Sequence, residues 1–463
     1  MMRLEKLVSL VLATAIAACG GVDTNPDAAA NPDGGGGTPD SPPMYDAREN
    51  CTAMVCADGM VTCMPSGELV ETCALGCYTD NTRCNLLDPS NGLAALLDTA
   101  SVKGDVTLPS GTIVNTDDGT VSGGAGAITV DTMTVAQEGG PQLRVLIAKT
   151  FTISDIRVNG ALPLAFVASG DVTIGGMIDA SADTTAPGPG GNATCTAGVG
   201  GGQTGGHWAR PRAGDVGAGE YYWNSAAGAG GGFGTAGGAG GTWMSTTLTY
   251  DGPAGGAAEG NAELVPLRGG CQGGGNYNSG TPAGVGGGGG GAVQVVSASQ
   301  IIVNGNVTPA GVHVGGGGGS TSTSGTALGG TTEYPACGGG SGGGVLLEAP
   351  VVTFQGLYAF LLAAGGGGGS SNGCGATGFG ADATLTGAVA TGGQCPAESW
   401  GTPAHGGDGA GTADAAAGQL SDYQCGGGGG GGSGRIRVNT ASADYTGSPG
   451  LRGVLSKAAA ATR

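Results

Sequence analysis

The chain has 463 residues, of which 106 are glycine, whereas glycine makes up about 7% of an average protein. Aromatic residues are only 4% and charged residues only 11% of the sequence, which excludes a dense aromatic core and also the solvated character of a typical disordered tail. The formal charge of −19 disfavours roles that depend on neutralising phosphates, so nucleic acid is not expected as a partner.

The first segment of the chain is typical of an export signal. Arg3 and Lys6 precede an apolar stretch over residues 7–18 that is too short to span a bilayer. The stretch closes on Ile16-Ala17-Ala18-Cys19, which resembles a bacterial lipobox. We therefore expect residues 1–18 to be a signal peptide and Cys19 to be lipidated, the alternative being an ordinary signal peptide that contains a cysteine.

A tether follows the lipidation site. Residues 19–50 are mostly Gly, Ala, Pro and Asp and have almost nothing to bury. As a flexible coil they would reach roughly 30 Å, enough to lift the next domain off the lipid headgroups. We therefore predict a membrane partner through the lipid on Cys19 and a location in the cell envelope, at the outer membrane or the cell surface.

The other twelve cysteines fall into two groups of six. A segment of 34 residues, 51–84, is too small for a core of its own, so its six cysteines predict a disulfide module rather than a zinc knuckle. The second six lie beside glycine-rich segments, where cross-links offset part of the entropy cost. The sequence leaves the pairing within each group open. The candidates are Cys51, Cys56, Cys63, Cys73, Cys77 and Cys84, then Cys195, Cys271, Cys337, Cys374, Cys395 and Cys425.

Short repeated strands dominate residues 143–463. Apolar residues alternate with polar ones, and most copies close on glycine. The copies are Ile156-x-Val158, Val172-x-Ile174, Ile301-x-Val303, Val352-x-Phe354 and Ile436-x-Val438. The upstream partner strands are Leu164-x-Phe166, Val293-x-Val295 and Val345-x-Leu347. We predict an all-β chain, a parallel β-solenoid of strand pairs, with residues 85–142 as an N-terminal cap that contains a short amphipathic stretch at residues 93–97. Unrelated strands of a β-sandwich are the alternative, because the copies do not recur at a fixed period.

Glycine runs lie beside the strand pairs. They span 286–291, 315–319, 338–344 (interrupted by Ser341), 365–369 and 426–432. One interpretation is flexible linker. We favour packed, three-fold extended polyglycine II helices, because the runs occupy equivalent points of the repeat and glycine lets backbones approach closely.

The order of these features resembles that of the glycine-rich surface lipoproteins of myxobacteria. The resemblance rests on the lipobox, the Asp/Pro tether, the six-cysteine module, the strand Gly140-Pro141-Gln142-Leu143-Arg144-Val145 and the repeated glycine-run units. It covers nearly the whole chain. It implies a surface location and brings no catalytic residues.

Aromatic residues concentrate in one insertion, residues 183–285. One interpretation is that these aromatic residues form a small hydrophobic core for the insertion. The sharper interpretation is an exposed stacking surface for a glycan or a surface protein. The candidate binding residues are Trp208, Tyr221, Tyr222, Trp223 and Trp243.

The sequence predicts no catalytic residue, metal site or cofactor. The chain has three histidines, and no Lys or Arg lies between Arg268 and Arg435. We therefore expect a non-enzymatic structural or adhesive lipoprotein. The alternative is a carbohydrate-binding or carbohydrate-active solenoid with its site in residues 183–285, where carboxylates could pair. These carboxylates are Asp215, Glu220, Asp251, Glu259 and Glu263.

A third class is an ice- or mineral-binding protein, which calls for a regular threonine ladder. The sequence shows Thr173, Thr308 and Thr353 in its repeats, but no aligned array is expected from their positions.

Overall fold

The computed structural model describes residues 52–463, apart from a set of gaps. These gaps are Ala125, 193–194, 196–201, 203–206, 212–220, 245–248, 279–280, 322–324, 328–329, 333–335, 372–374, Gly387, 396–403 and 421–425. The predicted signal peptide, Cys19 and the tether lie outside the described residues. Within the described residues, no helix has the length and apolar character that crossing a bilayer requires.

A small antiparallel sheet opens the described chain. Its strands are β1 (Ala53–Ala57), β2 (Met60–Met64) and β3 (Glu68–Thr72). Asp58 and Gly59 join β1 to β2 with φ angles of 50° and 73°, and this two-residue hairpin turn favours an Asp-Gly pair for that reason. Two disulfides join described residues of the segment, Cys56–Cys77 and Cys73–Cys84, and Cys63 is disulfide-bonded as well. The segment is therefore held by covalent staples around a very small core.

An α-helix and many short strands follow among the residues that the structure describes. The helix is α1 (Ala94–Ala100). The strands before the aromatic insertion are β4 (Val106–Leu108), β5 (Thr112–Asn115), β6 (Val121–Gly123), β7 (Gly126–Ala127), β8 (Asp131–Val135), β9 (Leu143–Ala148), β10 (Phe151–Ile153), β11 (Ile156–Asn159), β12 (Leu164–Ala168), β13 (Val172–Ile174) and β14 (Met177–Asp179). Those within the insertion are β15 (His207–Pro211), β16 (Tyr221–Ser225), β17 (Trp243–Met244), β18 (Thr249–Tyr250), β19 (Asn276–Asn278) and β20 (Thr281–Gly284).

The second half of the chain repeats the pattern. Its strands are β21 (Ala292–Ser297), β22 (Gln300–Asn304), β23 (Ala310–His313), β24 (Gly325–Ala327), β25 (Gly330–Thr332), β26 (Gly344–Glu348), β27 (Val351–Gln355), β28 (Ala359–Leu362), β29 (Arg435–Thr440), β30 (Gly450–Arg452) and β31 (Val454–Ala459). A 3-10 turn spans Gly375–Gly378.

Most strands belong to three sheets. The first sheet has the order β27-β22-β13-β10-β4, the second β30-β28-β23-β14-β11-β5, and the third β31-β29-β26-β21-β12-β9, all paired in parallel. Antiparallel pairing adds β6 and β7 to the second sheet and β8 to the third. The chain visits the third, first and second sheets in turn, from β9 to β11, then β12 to β14, β21 to β23 and β26 to β28. The prediction of an all-β chain with parallel strands is confirmed.

The strands enclose a common core because their register stacks apolar residues on one another. In the first sheet Phe151 pairs with Val172, Val172 with Ile301, and Ile301 with Val352, and all four are buried. Phe166 of the third sheet meets Phe151 edge to face, with ring centroids 5.4 Å apart. Each fully buried side chain of this size stabilises the fold by about 1.5–3 kcal/mol relative to exposure.

The third sheet is buried on both faces. Its other face packs against α1 and against Phe233, Leu264 and Leu267 of the insertion. This double burial explains why residues 143–148 are fully buried and read as a nearly continuous apolar run. The predicted amphipathic stretch at residues 93–97 enters α1, which covers this face of the sheet.

A buried carboxyl joins the same face to the segment before α1. Glu348 is 2% exposed and accepts hydrogen bonds from Ser90 Oγ at 2.8 Å, Gln294 Nε2 at 2.6 Å and Asn439 Nδ2 at 3.0 Å. Burial raises the pKa of Glu348, although these hydrogen bonds act against the rise. The group serves the architecture, because each donor comes from a different segment.

The glycine runs pack against one another. Residues 338–344 are all buried, and their amides donate to three neighbouring segments in strict rotation. The first neighbour is the segment around residues 271–274: the amide of Gly338 donates to the Gly274 carbonyl and that of Ser341 to the Cys271 carbonyl. The second is the run 426–432: Gly339 donates to Gly429 and Gly342 to Gly432. The third is the segment 314–317: Gly340 donates to Gly317 and Gly343 to Val314. Every third amide faces the same neighbour, so the run turns once every three residues and has no hydrogen bonds of its own.

Close approach explains why these positions are glycine. A methyl group at Gly340 would overlap the carbonyl oxygen of Gly288, and one at Gly431 would overlap the carbonyl oxygen of Gly340. Both neighbours are backbone atoms of packed runs, which cannot move without breaking further hydrogen bonds. Glycine is therefore a steric requirement in these runs.

The structure corrects the alignment of the repeats. Ile156-x-Val158 lies in the second sheet and Ile436-x-Val438 in the third, whereas the other three copies lie in the first. The true first-sheet equivalent of Val172-x-Ile174 is Phe151-x-Ile153. The predicted alignment was wrong for two reasons. Strands of all three sheets show the same alternation of apolar and polar residues, and each repeat contributes three strands, one to each sheet, rather than two.

The steric requirement generates a testable prediction. Gly340→Ala should destabilise the protein by about 3 kcal/mol or more, because the added methyl meets rigid backbone. Gly411→Ala is the matched control, since its methyl would meet only the flexible Arg452 side chain and Val389. Denaturant unfolding of both variants measures the difference. Equal stabilities would contradict the packing described above.

Candidate functional site

A row of charged side chains crosses the outward face of the second sheet. Arg157 of β11 pairs with Asp179 of β14, and Asp179 pairs with His313 of β23. Each follows an inward-facing residue of the common core, so the three project from the opposite face. This row was not predicted from the sequence, although its residues occupy the outward positions of the alternating pattern.

The row is tightly hydrogen-bonded. Arg157 Nη1 lies 2.7 Å from Asp179 Oδ2 and 3.0 Å from Ser181 Oγ, and Arg157 Nη2 donates to the Ser181 carbonyl at 2.9 Å. On the other side, His313 Nδ1 lies 3.1 Å from Asp179 Oδ1. Asp179 therefore stands between two potential cations and also accepts a hydrogen bond from the Ser181 hydroxyl at 2.7 Å.

This environment keeps Asp179 ionised. Burial alone would raise the pKa of Asp179, but the hydrogen bond and charge of His313, the Ser181 hydroxyl and the charge of Arg157 hold that pKa well below its usual range. A carboxyl group with such a low pKa is ionised near neutral pH and has no proton to donate. It acts as a fixed negative charge that orients Arg157 and His313.

His313 is enclosed by neighbouring backbone. The residue is 3% exposed, and its Nε2 atom has no hydrogen-bond partner within the described residues. A methyl group at Gly315 would lie 2.7 Å from this atom. In this position Nε2 is shielded from solvent by the surrounding residues.

A cavity lies beside the charged row. Its volume is about 260 Å³. The wall combines residues of β11 and the glycine after it, Ser181 after β14, and the first residues of the 183–285 insertion: Arg157, Val158, Asn159, Gly160, Ser181, Asp183, Ala186, Pro187, Gly188 and Pro189. This cavity is where the structure brings polar side chains of the stack and of the insertion together.

The predicted aromatic surface lies on two hairpins. Trp208 is in β15, Tyr221, Tyr222 and Trp223 are in the paired strand β16, and Trp243 is in β17, which pairs with β18. Their side chains lie outside the described residues, so the stacking surface stays a prediction.

Two members of the insertion, Phe233 and Glu259, make structural contacts. Phe233 is fully buried against the third sheet, with the guanidinium carbon of Arg268 5.2 Å from its ring centroid. Glu259 is paired with Arg268 at 3.3 Å. Of the other four carboxylates of the carbohydrate alternative, Asp215 and Glu220 lie outside the described residues, and Asp251 and Glu263 form no ion pair with a described residue.

Three cysteines of the second group are disulfide-bonded in the structure. Cys195 and Cys271 form a disulfide with a sequence separation of 76, and Cys395 is also disulfide-bonded. Cys63 of the first group is bonded as well. The candidates Cys51, Cys374 and Cys425 lie outside the described residues, as does the lipidation candidate Cys19.

Cys337 is a correction to the disulfide prediction. It is a free, buried thiol, and burial raises its pKa to about 11. The side chain is enclosed within the packed glycine segments, where hydrogen bonds to Ser320 and Asn276 reach the sulfur. Position beside a glycine run therefore did not imply a cross-link, and this thiol is too protonated to be reactive.

No metal site is indicated by the cysteine cluster. The sulfurs of Cys56, Cys73 and Cys77 lie within 4.8 Å of one another, close enough to suggest a shared ion. All three are oxidised in the Cys56–Cys77 and Cys73–Cys84 disulfides. Disulfide sulfurs lack the thiolate that binds zinc.

The outward face of the first sheet has an aligned row of threonines. Thr107, Thr152, Thr173 and Thr353 occupy equivalent positions in β4, β10, β13 and β27, with Ile302 of β22 between the last two. All are at least partly exposed, and within the described residues their hydroxyls are not hydrogen-bonded to protein. The expectation of no aligned threonine array is wrong, because it missed Phe151-x-Ile153 and Val106-x-Leu108 as repeats.

Comparison with protein-family models, with curated proteins and with solved structures finds no match for the chain. The assignment of function therefore rests on the residues and geometry of this chain.

The low pKa of Asp179 generates a pH prediction. A folded-state pKa below the ordinary value of 3.8 stabilises the protein above that pH, and the stabilisation is lost as pH falls further. Asp179→Asn should therefore lower the melting temperature at pH 7 and flatten its fall below about pH 4. Melting temperature against pH measures this, with the exposed Asp251→Asn as the control. If the melting temperature of Asp179→Asn falls below pH 4 as steeply as that of the wild type, His313 and Arg157 do not stabilise the carboxylate.

Proposed function

We propose that this chain is a non-enzymatic structural or adhesive lipoprotein of the bacterial envelope. The observation that carries the proposal is the three-neighbour packing of residues 338–344, which makes glycine runs into a rigid body. A chain that commits its longest insertions to backbone–backbone contacts is suited to a mechanical or display role.

We further infer that the three sheets are the sides of one parallel β-solenoid. Support comes from the fixed order of visits to the third, first and second sheets and from the single core that their inward residues share. In the chain, each packed run lies between a strand of the second sheet and the next strand of the third sheet. On this proposal the runs form a bundle of polyglycine II helices beside the solenoid.

Envelope anchoring completes the proposal. The sequence Ile16-Ala17-Ala18-Cys19 supplies the lipid attachment site and residues 20–50 supply the spacer. Lipid on Cys19 needs more than one acyl chain for stable anchoring, since a single chain binds marginally. The same features support the proposed kinship with the surface lipoproteins of myxobacteria.

Anchoring is tested by Cys19→Ser. We expect the variant to move from the detergent-soluble membrane fraction to the soluble exported fraction, because no acyl chain can be attached. Cys337→Ser is the control, since it removes a buried thiol and leaves the lipid site intact. Membrane retention of Cys19→Ser would refute the lipid anchor.

The threonine row favours a second candidate, binding to ice or to a mineral surface. Five outward residues spaced by the strand repeat of about 4.8 Å make a fixed row of hydroxyl and methyl groups, and the four hydroxyls are free to bond outside the protein. Such a row can order water or match a repeating lattice.

This candidate is tested on ice. The protein should slow ice recrystallisation, and replacing Thr152 and Thr173 by Lys should abolish the effect because two charged side chains interrupt the row. Thr308→Lys is the control, since Thr308 lies outside the row and bonds to the Gly175 carbonyl. A wild-type protein without any effect on ice growth would remove ice as the ligand.

A further inference from the structure

We propose that the cavity beside the charged row binds a single neutral sugar residue. The inference rests on the adhesive part of the proposed function and names the ligand class that one surface of the protein would recognise.

Size limits the ligand to about one ring. The cavity of about 260 Å³ lies just below the range of about 300–1,000 Å³ that is typical for drug-sized ligands. Of its wall residues, Asp183, Ala186 and Pro187 are exposed, whereas Gly188 and Pro189 are buried. A terminal residue of a glycan could enter while the rest of the glycan stays in solvent.

The charge balance disfavours an anion. Arg157 is the cationic wall residue, but its charge is already paired with Asp179 at 2.7 Å. The remaining charged wall residue is Asp183, which is negative. A ligand that brings its own carboxylate or phosphate would meet an uncompensated negative charge, whereas a neutral polyol would not.

The polar wall residues complement hydroxyl groups. Arg157 has five N–H donors, and four are used by Asn159, Asp179, the Ser181 hydroxyl and the Ser181 carbonyl. One Nη2 donor is left for a ligand oxygen. The Asp183 carboxylate can accept hydrogen bonds from ligand hydroxyls, and the Asn159 amide can accept or donate them. Pro187 and Pro189 supply apolar wall for the C–H groups of a sugar ring.

The hydrogen-bonded row of Arg157, Asp179 and His313 gives this wall its rigidity. Asp179 holds Arg157 from behind, and His313 with the Ser181 hydroxyl holds Asp179. A guanidinium fixed in this way loses little conformational entropy when a ligand binds. Asp179 and His313 are therefore positioning residues that act through Arg157.

The experiment titrates the full chain in detergent with neutral sugars. Methyl glucoside, methyl galactoside and N-acetylglucosamine are the probes, with glucuronate as the anionic comparison, and ligand-observed NMR is the readout. We expect at least one neutral sugar to bind in the millimolar range and glucuronate to bind more weakly. Ala186→Trp should weaken that binding by about tenfold or more by filling the cavity.

Two further variants keep the test decisive. Ala441→Trp places the same ring at an exposed alanine away from the cavity and should leave binding unchanged. Asp183→Ala removes a hydrogen-bonding wall residue without filling the cavity and should weaken binding by about fivefold. If Ala186→Trp fails to fold, Asp183→Ala decides alone.

Three results would overturn the proposal: no neutral sugar binds, binding is the same in Ala186→Trp and Asp183→Ala as in the wild type, or glucuronate binds more tightly than every neutral sugar. Membrane fractionation and melting temperature are followed in the same samples. If these stay normal while sugar binding is absent, the cavity proposal fails and the anchored structural protein stands.

Discussion

The structure depends on one constraint: every amide of a buried glycine run must find a partner in a neighbouring run. An extended three-fold helix has no hydrogen bonds of its own, so an isolated run would leave its amides to water. In residues 338–344 the partners come from three directions, and each approach is so close that a side chain on Gly340 would overlap a carbonyl oxygen. Glycine composition and packing are therefore two aspects of the same requirement.

The sheets and the runs stabilise each other. Glycine loses more conformational entropy on folding than any other residue, and the runs cannot offset this loss with apolar side chains. The neighbouring strands fix where each run begins and ends, as β26 does by continuing directly from residue 343. The Cys195–Cys271 disulfide closes a span of 76 residues, which the chain-entropy model values at about 4–5 kcal/mol.

Individual strands were predictable from the sequence, whereas the pairing of strands side by side in a sheet was not. Val172-Thr173-Ile174 alternates because one face is buried, so the strand was evident, but the pattern does not say which of three sheets the strand joins. For the same reason the alignment of Thr152 with Thr173, and of Arg157 with Asp179 and His313, could not be seen: these residues are neighbours only through strand register. Cys337 was misjudged because burial, not position beside a run, determines its state.

The most direct test of this account is amide hydrogen exchange in residues 338–344. The three-neighbour packing predicts that these amides are protected to nearly the same degree as those of the adjoining strand β26, since both open only when the surrounding structure opens. Exchange at the rates of an unstructured chain in residues 338–344, with β26 still protected, would identify the run as a flexible linker and contradict the account.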